Sequence, residues 1–546
     1  MSKFDLIHEP WIPIQAGNEV QEVGIREALL GARKLGDIQL ASPLETAAVT
    51  RLLLCVALAA CGPATWHDTK TLLETGRFPA DTLTAYLDKW QDQFYLFGDR
   101  PFLQIGTLTM KQATPLAALA TEAATGNNAT LFDHTHDDDP PAYTLAEAAR
   151  KLVAAQAFAL GFGRAADALV AEQPFPRPYF ADAICLRGVT VWLSGKNLFE
   201  TLVLNMVPRM TTNTVLPEPP TQRPIWEQAD PLRRLDRVKN RKRVAVRAQS
   251  IMDRLVWQSR LTRLLPETNA AGQTVVRRAY LTQGREADKS PGDPMKVFVE
   301  SKTEGIYALG LNAGKASWRD LHSLVVIGAK DRRPPIFDHM AILVREEIVA
   351  PVALYGLNVV GLATDPGKAG KFLLWRHDRL SVPAALLEDQ ELVELLGIAL
   401  TDAEFVASEL RRRVYFVAKE FVPPHGNPDP KDVGSFADML DARPAFWARL
   451  ENHFIPLLAN LPHQEDALGK WRTQVEQEAK RALTESCQQL GNTAPALRAK
   501  AAVSFRFQAD QSAVLQQRAD TEKRKKQTEL KKRKDAKANE RVLSKQ

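Results

Sequence analysis

A strongly basic segment at residues 233–263 has the clearest binding chemistry in the sequence. It contains eleven lysines and arginines and only two acids, Asp236 and Asp253, which gives a local net charge of +9. Such cationic density is typical of surfaces that neutralise the phosphates of a polyanion. We interpret it as a nucleic-acid contact; a solvated arginine-rich surface is the alternative. The predicted backbone-binding residues are Arg241, Lys242, Arg243 and Arg247.

A long polar loop at residues 126–143 is a second candidate site. Its His134, His136 and the three aspartates at 137–139 carry groups that suit a divalent cation. Three adjacent aspartates point in different directions unless the loop folds around the ion. A solvated acidic loop and an ordered binding loop therefore stay open as alternatives, and we predict no bound metal.

No pattern in the sequence demands catalysis. The Gly161-Phe162-Gly163 turn lacks the spacings of nucleotide-binding glycine loops, and by itself it is typical of a helix C-cap with a left-handed glycine. No Ser/His/Asp or Cys/His order is recognisable as a nucleophilic site. We therefore predict that the protein is not an enzyme and uses no cofactor.

Length and composition indicate a globular protein of two or more domains. The 546 residues are 45% hydrophobic and 25% charged. The overall charge of +6 is uneven, because residues 518–546 alone carry +7 and leave −1 for the rest. Acidic surface elsewhere must therefore offset the basic segment, and the basic tail suits a weak, salt-sensitive contact with DNA.

The cysteines and the N-terminus indicate a cytoplasmic protein. Cys55, Cys61, Cys185 and Cys487 form no CxxC pair and no metal-ligand spacing, so we expect reduced thiols. The N-terminus has no signal-peptide pattern. The longest apolar run, residues 52–61, is too short to span a bilayer, so no membrane contact is predicted.

Hydrophobic periodicity predicts mixed structure followed by helices. Helices are expected at 44–61, 83–97 and 145–158, and a strand followed by a helix at 184–206. Strands are expected at 4–14, 297–299, 342–344 and 352–362, and a hairpin is expected from 359–364 and 372–376 around a Pro/Gly turn. Beyond residue 383 only helices are expected, at 387–400, 403–421, 433–461, 465–490 and 495–517.

The predicted fold class is an α+β N-terminal domain with a C-terminal four-helix bundle. The predicted limits are 1–383 for the mixed domain, 384–515 for the helical bundle and 516–546 for a basic tail that is disordered or a solvated helix.

Six motifs, in order along the chain, resemble one family of proteins. They are FDLIHEPWIP (4–13), FYLFGDRPFLQ (94–104), TLFDH (130–134), LRG (186–188), LVWQSR (255–260, expected to be a strand) and WRHD (375–378). Together with a helical C-terminus they resemble the CasA family, the large subunit of the type I-E CRISPR surveillance complex, Cascade.

The resemblance implies a non-catalytic subunit of a ribonucleoprotein complex for antiviral defence. Its partners would be crRNA, the other Cascade subunits, double-stranded target DNA and the helicase-nuclease of the system. The family recognises the protospacer-adjacent motif (PAM), helps to open the duplex for R-loop formation and recruits the helicase-nuclease. It reads the motif largely from the minor groove, whose patterns are degenerate.

The resemblance also implies site residues. The loop at 128–134, with Phe132, Asp133 and His134, matches the family loop that contacts the PAM region and the guide 5′ end. Gly161, Phe162 and Gly163 match a glycine loop that approaches the groove, and Arg164 stands where other members have glycine. The turn at 365–371 matches a wedge that splits the first base pair; its residues are Asp365, Pro366, Gly367, Lys368 and Lys371.

One feature of some family members is absent, and three alternatives stay open. Residues 264–300 contain no cysteine, which argues against a structural zinc site. The alternatives are a large subunit of another type I system, a metal-dependent nuclease that uses the cluster at 134–139, and a generic nucleic-acid-binding scaffold that relies on residues 233–247 and the tail.

Overall fold

The structure is a computed structural model that describes most of the chain. The described residues are 3–121, 139–161, 163–175, 179–209, 223–228, 238–239, 242–243, 245–289, 291–303, 305–326, 333–365, 371–422, 429–462 and 466–501. The chain divides into two compact units, Met1–Gln390 and Glu391–Gln546. The domain limits expected at 383 and 515 stay predictions.

The first unit mixes helices and strands. Its helices are α1 (Ile25–Leu30), α2 (Pro43–Cys61), α3 (Trp66–Thr75), α4 (Ala80–Trp90), α5 (Leu145–Phe158), α6 (Leu198–Asn205), α7 (Ile251–Leu255), α8 (Leu321–Val325) and α9 (Pro335–Arg345). Its strands are β1 (Ile12–Ala16), β2 (Glu19–Val23), β3 (Leu108–Met110), β4 (Thr114–Pro115), β5 (Ala168–Val170), β6 (Gln173–Phe175), β7 (Thr190–Ser194), β8 (Val238–Lys239), β9 (Lys242–Arg243), β10 (Arg260–Thr268), β11 (Thr274–Gln283), β12 (Phe298–Ser301), β13 (Gly305–Ala308), β14 (Leu354–Thr364) and β15 (Phe372–Pro383).

The described strands form small antiparallel sheets rather than one large sheet. Three sheets have three strands, in the orders β15-β14-β7, β10-β11-β4 and β3-β5-β6. The other strands pair as ribbons, β1 with β2, β8 with β9, and β12 with β13. The mixed α+β class predicted for the N-terminal part is confirmed.

Helix α2 is the core helix of the first unit. It contacts α4, α5, α6 and α7. Its length and composition alone would allow it to cross a membrane, because the helix extends beyond the apolar run at 52–61, but 78% of its most apolar stretch is buried inside the fold. Burial on nearly all sides explains why apolar residues occur on every face of the helix.

A buried ion pair fixes α2 to its neighbours. The Arg51 guanidinium donates to the two carboxylate oxygens of Asp293 at 3.0 and 2.7 Å, and both side chains are almost fully buried. Arg51 also donates to the backbone carbonyls of Arg254 and Leu255 at the end of α7. Burial opposes ionisation of Asp293, but the adjacent Arg51 charge keeps the pKa of this carboxyl below its ordinary value.

The second unit is helical in its described part, as predicted for the C-terminal region. Its helices are α10 (Gln390–Phe421), α11 (Pro430–Met439), α12 (Arg443–Asn460) and α13 (Ala467–Gln488). Trp471 of α13 donates its indole N–H to the Ala399 carbonyl of α10 at 2.8 Å. The basic tail lies outside the described residues.

Two helix boundaries in the second unit differ from the prediction. Residues 387–400 and 403–421 were predicted as separate helices, but Thr401 and Asp402 continue the single helix α10, since neither is a glycine or proline. Residues 433–461 were predicted as one helix, but they form α11 and α12. The break precedes Pro444, which lies in the first turn of α12, where its missing N–H costs no hydrogen bond.

Several predictions in the first unit are confirmed. The helices predicted at 44–61 and 145–158 are α2 and α5, and the strand and helix predicted at 184–206 are β7 and α6. The predicted hairpin is formed by β14 and β15.

Two strand predictions are wrong. Residues 342–344 lie in helix α9, because a short apolar run does not distinguish a strand from a buried helix, and Pro334 and Pro335 start a helix there. In the segment 255–260, Leu255 ends α7, residues 256–259 form an irregular link, and β10 begins only at Arg260. Ser250 accepts the Asp253 N–H at 3.1 Å and caps α7, which favours the helix locally.

Two further boundaries differ near the N-terminus. The strand predicted at 4–14 starts only at Ile12, and it contains Pro13. Gln15, two residues on, donates its N–H to Asp37 rather than to β2, so the nitrogen of Pro13 also faces away from β2. Pro13 therefore interrupts no hydrogen bond between β1 and β2. The helix predicted at 83–97 ends at Trp90.

Helix α9 contains a buried histidine that makes the stability of the protein depend on pH. His339 is fully buried, and neither ring nitrogen has a hydrogen-bond partner among the described residues. Burial lowers its pKa from 6.5 to about 4. Between these values the unfolded chain binds a proton that the folded protein excludes, so the stability is full above pH 6.5 and falls as the pH decreases towards 4.

We expect His339→Leu to flatten this pH dependence. The linkage amounts to about 3 kcal/mol across the window, because each unit of pKa corresponds to about 1.4 kcal/mol. Melting temperatures of wild type and variant at pH 7 and pH 5 measure it. The exposed His67, changed to Gln, is the control and should keep the wild-type slope. If the melting temperature of His339→Leu changes with pH as much as that of the wild type, His339 is not the cause of the pH dependence.

Candidate nucleic-acid interface

The hairpin of β14 and β15 carries the predicted wedge. The two strands pair from Leu354 with Pro383 to Thr364 with Phe372, with an irregularity between Ala363 and Thr364. At the base of the turn the Asp365 N–H donates to the Lys371 carbonyl at 3.0 Å. The predicted wedge residues Pro366, Gly367 and Lys368 lie outside the described residues.

The glycine loop follows α5 but does not cap it. Helix α5 ends at Phe158, and the next residue, Ala159, is extended, so the alternative of a helix C-cap with a left-handed glycine is wrong. The Gly161 N–H donates to Asp182 Oδ1 at 2.9 Å. The Gly163 carbonyl accepts the Phe180 N–H at 3.0 Å. Residues 179–182 therefore hold the loop; Phe162 lies outside the described residues.

The two glycines are required for different reasons. A Cβ at Gly161 would lie 2.5 Å from the Asp182 nitrogen and 2.6 Å from the Ala181 carbonyl carbon, which are both backbone atoms. Gly161 thus permits a close approach within the protein itself. Gly163 has φ +72°, and a Cβ there would meet no described atom within 4 Å. Gly163 therefore presents open backbone that another molecule can approach closely.

An exposed arginine follows the open glycine in the chain, and an exposed tyrosine from a later segment pairs with it. Arg164 forms an isolated antiparallel bridge with Tyr179. Arg164 is exposed, and Tyr179 is 73% exposed. An exposed cation and an exposed aromatic ring on paired backbone segments are suited to phosphates and bases. Beside Gly163, these two side chains make this end of the unit suited to nucleic acid.

A buried arginine holds the backbone that leads into the glycine loop. Arg260 donates to the carbonyls of Ala159 and Leu160 at 3.2 and 2.9 Å and to Gln283 Oε1 at 3.0 Å. Its guanidinium also lies 5.2 Å from the centre of the Phe180 ring. Burial lowers the pKa of Arg260 from 12.5 to about 10. This guanidinium is therefore a structural group that fixes the loop, and its charge does not face solvent.

Part of the basic segment is therefore not a binding surface. Arg254 is buried like Arg260, and it forms an ion pair with Asp288 at 2.8 Å. Among the predicted backbone-binding residues, Arg247 is exposed, Lys242 and Arg243 form β9, and Arg241 lies outside the described residues. The net charge of the segment thus overstates the charge available to a polyanion.

Two residues to which the sequence assigned no role, Asp182 and Arg187, join the glycine loop to the hairpin. Arg187 donates from Nε to Asp182 Oδ2 at 2.7 Å and from Nη1 to Thr364 Oγ1 at 3.0 Å. Asp182 holds Gly161, and Thr364 is the last residue of β14. The structure therefore connects the glycine loop to the base of the hairpin that carries the predicted wedge. The LRG motif at 186–188 was the sequence signal that could have found Arg187.

The predicted loop residues Phe132, Asp133 and His134 lie outside the described residues. Of the acidic cluster only Asp139 is described, and it is paired with Arg277 at 3.6 Å. Within the described residues no three His, Cys, Asp or Glu side chains are grouped to hold a metal ion. The four cysteines are free thiols, and burial raises the pKa of Cys61 to about 12.

Comparisons with known proteins agree with one another. Residues 5–482 match the model of the family described as CRISPR-associated protein Cse1. A protein of Thermus thermophilus named CRISPR-associated protein CasA/Cse1 is 32% identical over 518 residues, which are 92% of this chain and 96% of that protein.

Solved structures give the same result for the fold. The crystal structure of Thermus thermophilus CasA superposes with a TM-score of 0.76 at 28% identity and covers 93% of this chain and 100% of that chain. A chain in a structure titled CRISPR RNA-guided surveillance complex superposes with a TM-score of 0.73 at 22% identity over 93% of this chain and 99% of that chain.

We expect Gly161→Ala to destabilise the glycine loop. The new methyl group would overlap backbone atoms of residues 181–182, which cannot rotate away, and overpacking of this kind typically costs about 1–3 kcal/mol. Thermal unfolding and hydrogen exchange of residues 159–164 measure the effect. Gly310→Ala, where a Cβ meets no described atom, is the matched control. Equal protection in both variants would refute the close-approach argument.

Proposed function

The chain belongs to the CRISPR-associated Cse1 family, and from this premise we propose that it is the large subunit of a type I-E Cascade surveillance complex. In this proposal it assembles with crRNA and the other Cascade subunits in the cytoplasm. It recognises the PAM in double-stranded DNA, helps to open the duplex and recruits the helicase-nuclease. It is a binding subunit that does not itself catalyse a reaction.

One observation carries the DNA-opening part of the proposal. The glycine loop and the base of the hairpin are joined through Asp182 and Arg187. The base pair that opens first is adjacent to the motif, so a motif-reading loop and a strand-separating hairpin must lie side by side. These hydrogen bonds satisfy that spatial requirement.

The chemistry of the loop suits minor-groove recognition. Open backbone at Gly163 allows a close approach to the base edges, and exposed Arg164 is attracted by the negative potential of a narrow minor groove. We assign further contacts in the PAM region to Phe132, Asp133 and His134. Because the minor groove presents degenerate patterns, tolerance of several related motifs is expected.

We assign the remaining predicted residues to strand separation and backbone contact. The hairpin turn, with Asp365 and Lys371 at its base, inserts beside the motif, where a wedge unstacks bases sterically. The basic residues at 241–243 and Arg247 hold phosphates. Contacts of this kind add affinity without sequence preference and weaken with salt.

We expect motif-dependent DNA binding only when the chain is present in the crRNA-loaded complex. Gel shifts with and without the chain, on duplexes that differ only at the PAM, measure this. Arg164→Ala should weaken binding by roughly tenfold, about 1.4 kcal/mol, and Arg498→Ala, an exposed arginine of the other unit, should leave it unchanged. No difference on adding the chain would overturn the proposal, and cleavage of DNA by the chain with manganese would favour the nuclease alternative.

We expect a shortened hairpin to slow opening without loss of the fold. Replacing residues 366–370 with Asn-Gly, a favoured two-residue turn, removes the wedge while keeping the strands paired. Phe132→Ala should weaken motif binding in the same assay. A target whose first base pairs are already mismatched should rescue the shortened hairpin but not Phe132→Ala. Equal behaviour of the two variants on both targets would contradict the separate roles.

A further inference from the structure

Asp182 and Arg187 form a connection whose geometry suits alignment of two structural parts. Each oxygen of the Asp182 carboxylate accepts one hydrogen bond, from the Gly161 N–H and from Arg187 Nε. The same guanidinium uses Nη1 for the hydroxyl of Thr364. A planar guanidinium has its donors in a fixed arrangement, so these bonds fix direction as well as distance.

The backbone just before Arg187 is held by hydrogen bonds from two neighbouring segments. The N–H groups of Ala183 and Cys185 donate to the carbonyls of Ala159 and Ala157, at 2.9 and 2.8 Å, along the end of α5. Lys296 donates from Nζ to the Ile184 carbonyl at 2.9 Å. The starting point of the Arg187 side chain is therefore fixed relative to the glycine loop.

Gly188 allows the chain to pass close to its neighbours directly after Arg187. It has φ +102°, and a Cβ there would lie 2.6 Å from Cβ of Ala308. A residue with a side chain would force this segment away from β13 and would move Arg187. The LRG motif therefore combines a buried anchor (Leu186), a connecting side chain (Arg187) and a glycine that permits close packing.

We propose that Asp182 and Arg187 are positioning residues that hold the hairpin base at a fixed distance from the glycine loop, so that motif binding places the hairpin turn at the first base pair. This inference rests on the proposed function. Thr364 lies at the irregularity of β14, where a bulge re-aims the end of a strand, so one hydrogen bond there affects the direction of the turn. Neither residue needs to touch DNA for this role.

The alternative role for Arg187 is a direct phosphate contact, since its side chain is 60% exposed. Its charge is already matched by Asp182, which lowers its attraction for a phosphate. The two roles differ in the part played by Thr364. A positioning role requires the Thr364 hydroxyl, whereas a phosphate contact does not.

The test is a double-mutant cycle of Arg187→Gln and Thr364→Val in the complete crRNA-loaded complex. The measured quantity is the rate of R-loop opening, on an intact duplex and on a target mismatched beside the motif. Each single change should slow opening of the intact duplex by roughly 3–10-fold, and the double variant should be no slower than Arg187→Gln alone, because both remove the same connection. The mismatched target should open at the wild-type rate in all three.

The control is Arg345→Gln. Arg345 is 61% exposed and paired with Glu388 in the same unit, so this change removes the same charge from a similar environment without touching the connection. It should open DNA like wild type. Equal melting temperatures of the three single variants separate positioning from a general loss of stability.

Three results would overturn the positioning role. The first is a wild-type opening rate for Thr364→Val, and the second is additive effects of the two changes in the double variant. The third is slow opening of the mismatched target by Arg187→Gln, together with a salt dependence of DNA affinity whose slope is smaller by about one, which is the signature of a lost phosphate contact. A wild-type complex that fails to discriminate PAM duplexes would instead overturn the proposed function, and the positioning role with it.

Discussion

The buried ion pair of Arg51 and Asp293 is the constraint on which the architecture of the first unit depends. One guanidinium holds the core helix α2, the end of α7 and the segment at 293–296, and Lys296 in that segment holds the Ile184 carbonyl beside the candidate site. Losing one partner of such a pair typically costs about 3–5 kcal/mol, because the other charge stays buried. The candidate nucleic-acid interface is thus connected, through Lys296 and Ile184, to a charge network deep in the core.

The arginines of this molecule have two distinct roles, one in the buried core and one at the surface. The net charge counts both kinds equally. Arg51, Arg254 and Arg260 are buried and donate to carbonyls and carboxylates, so they organise backbone that has no partner in a regular helix or strand. Arg164 and Arg247 are exposed and belong to the predicted nucleic-acid surface. Guanidinium suits both uses because it has five donors and stays charged even when burial lowers its pKa, as it does for Arg260.

The sequence predicts elements and contiguous motifs well, and long-range geometry poorly. Helices α2 and α5 and the hairpin strands were predictable because their periodicity or turn residues are local signals. Residues 342–344 were not, because a short apolar run fits a strand and a buried helix equally. The hydrogen-bond network of the candidate site could not be predicted for a different reason, since its partners are far apart in sequence. Gly161 and Asp182 are 21 residues apart, and Arg187 and Thr364 are 177 residues apart. Only the folded chain brings such polar groups within hydrogen-bonding distance of one another.

In the proposed function, recognition through open backbone makes accuracy of placement more important than the identity of side chains. A glycine such as Gly163 offers the DNA only peptide groups and space, and these discriminate groove shapes through their position. The position of the loop decides whether the base edges are reached. The loop is accordingly held by Arg260, which donates to the Leu160 carbonyl, and by Asp182, which accepts the Gly161 N–H. The absence of a side chain at Gly161 allows its close contact with the backbone of residues 181–182. A degenerate groove code read by a rigid loop is expected to admit a small set of related motifs and to reject the rest by geometry.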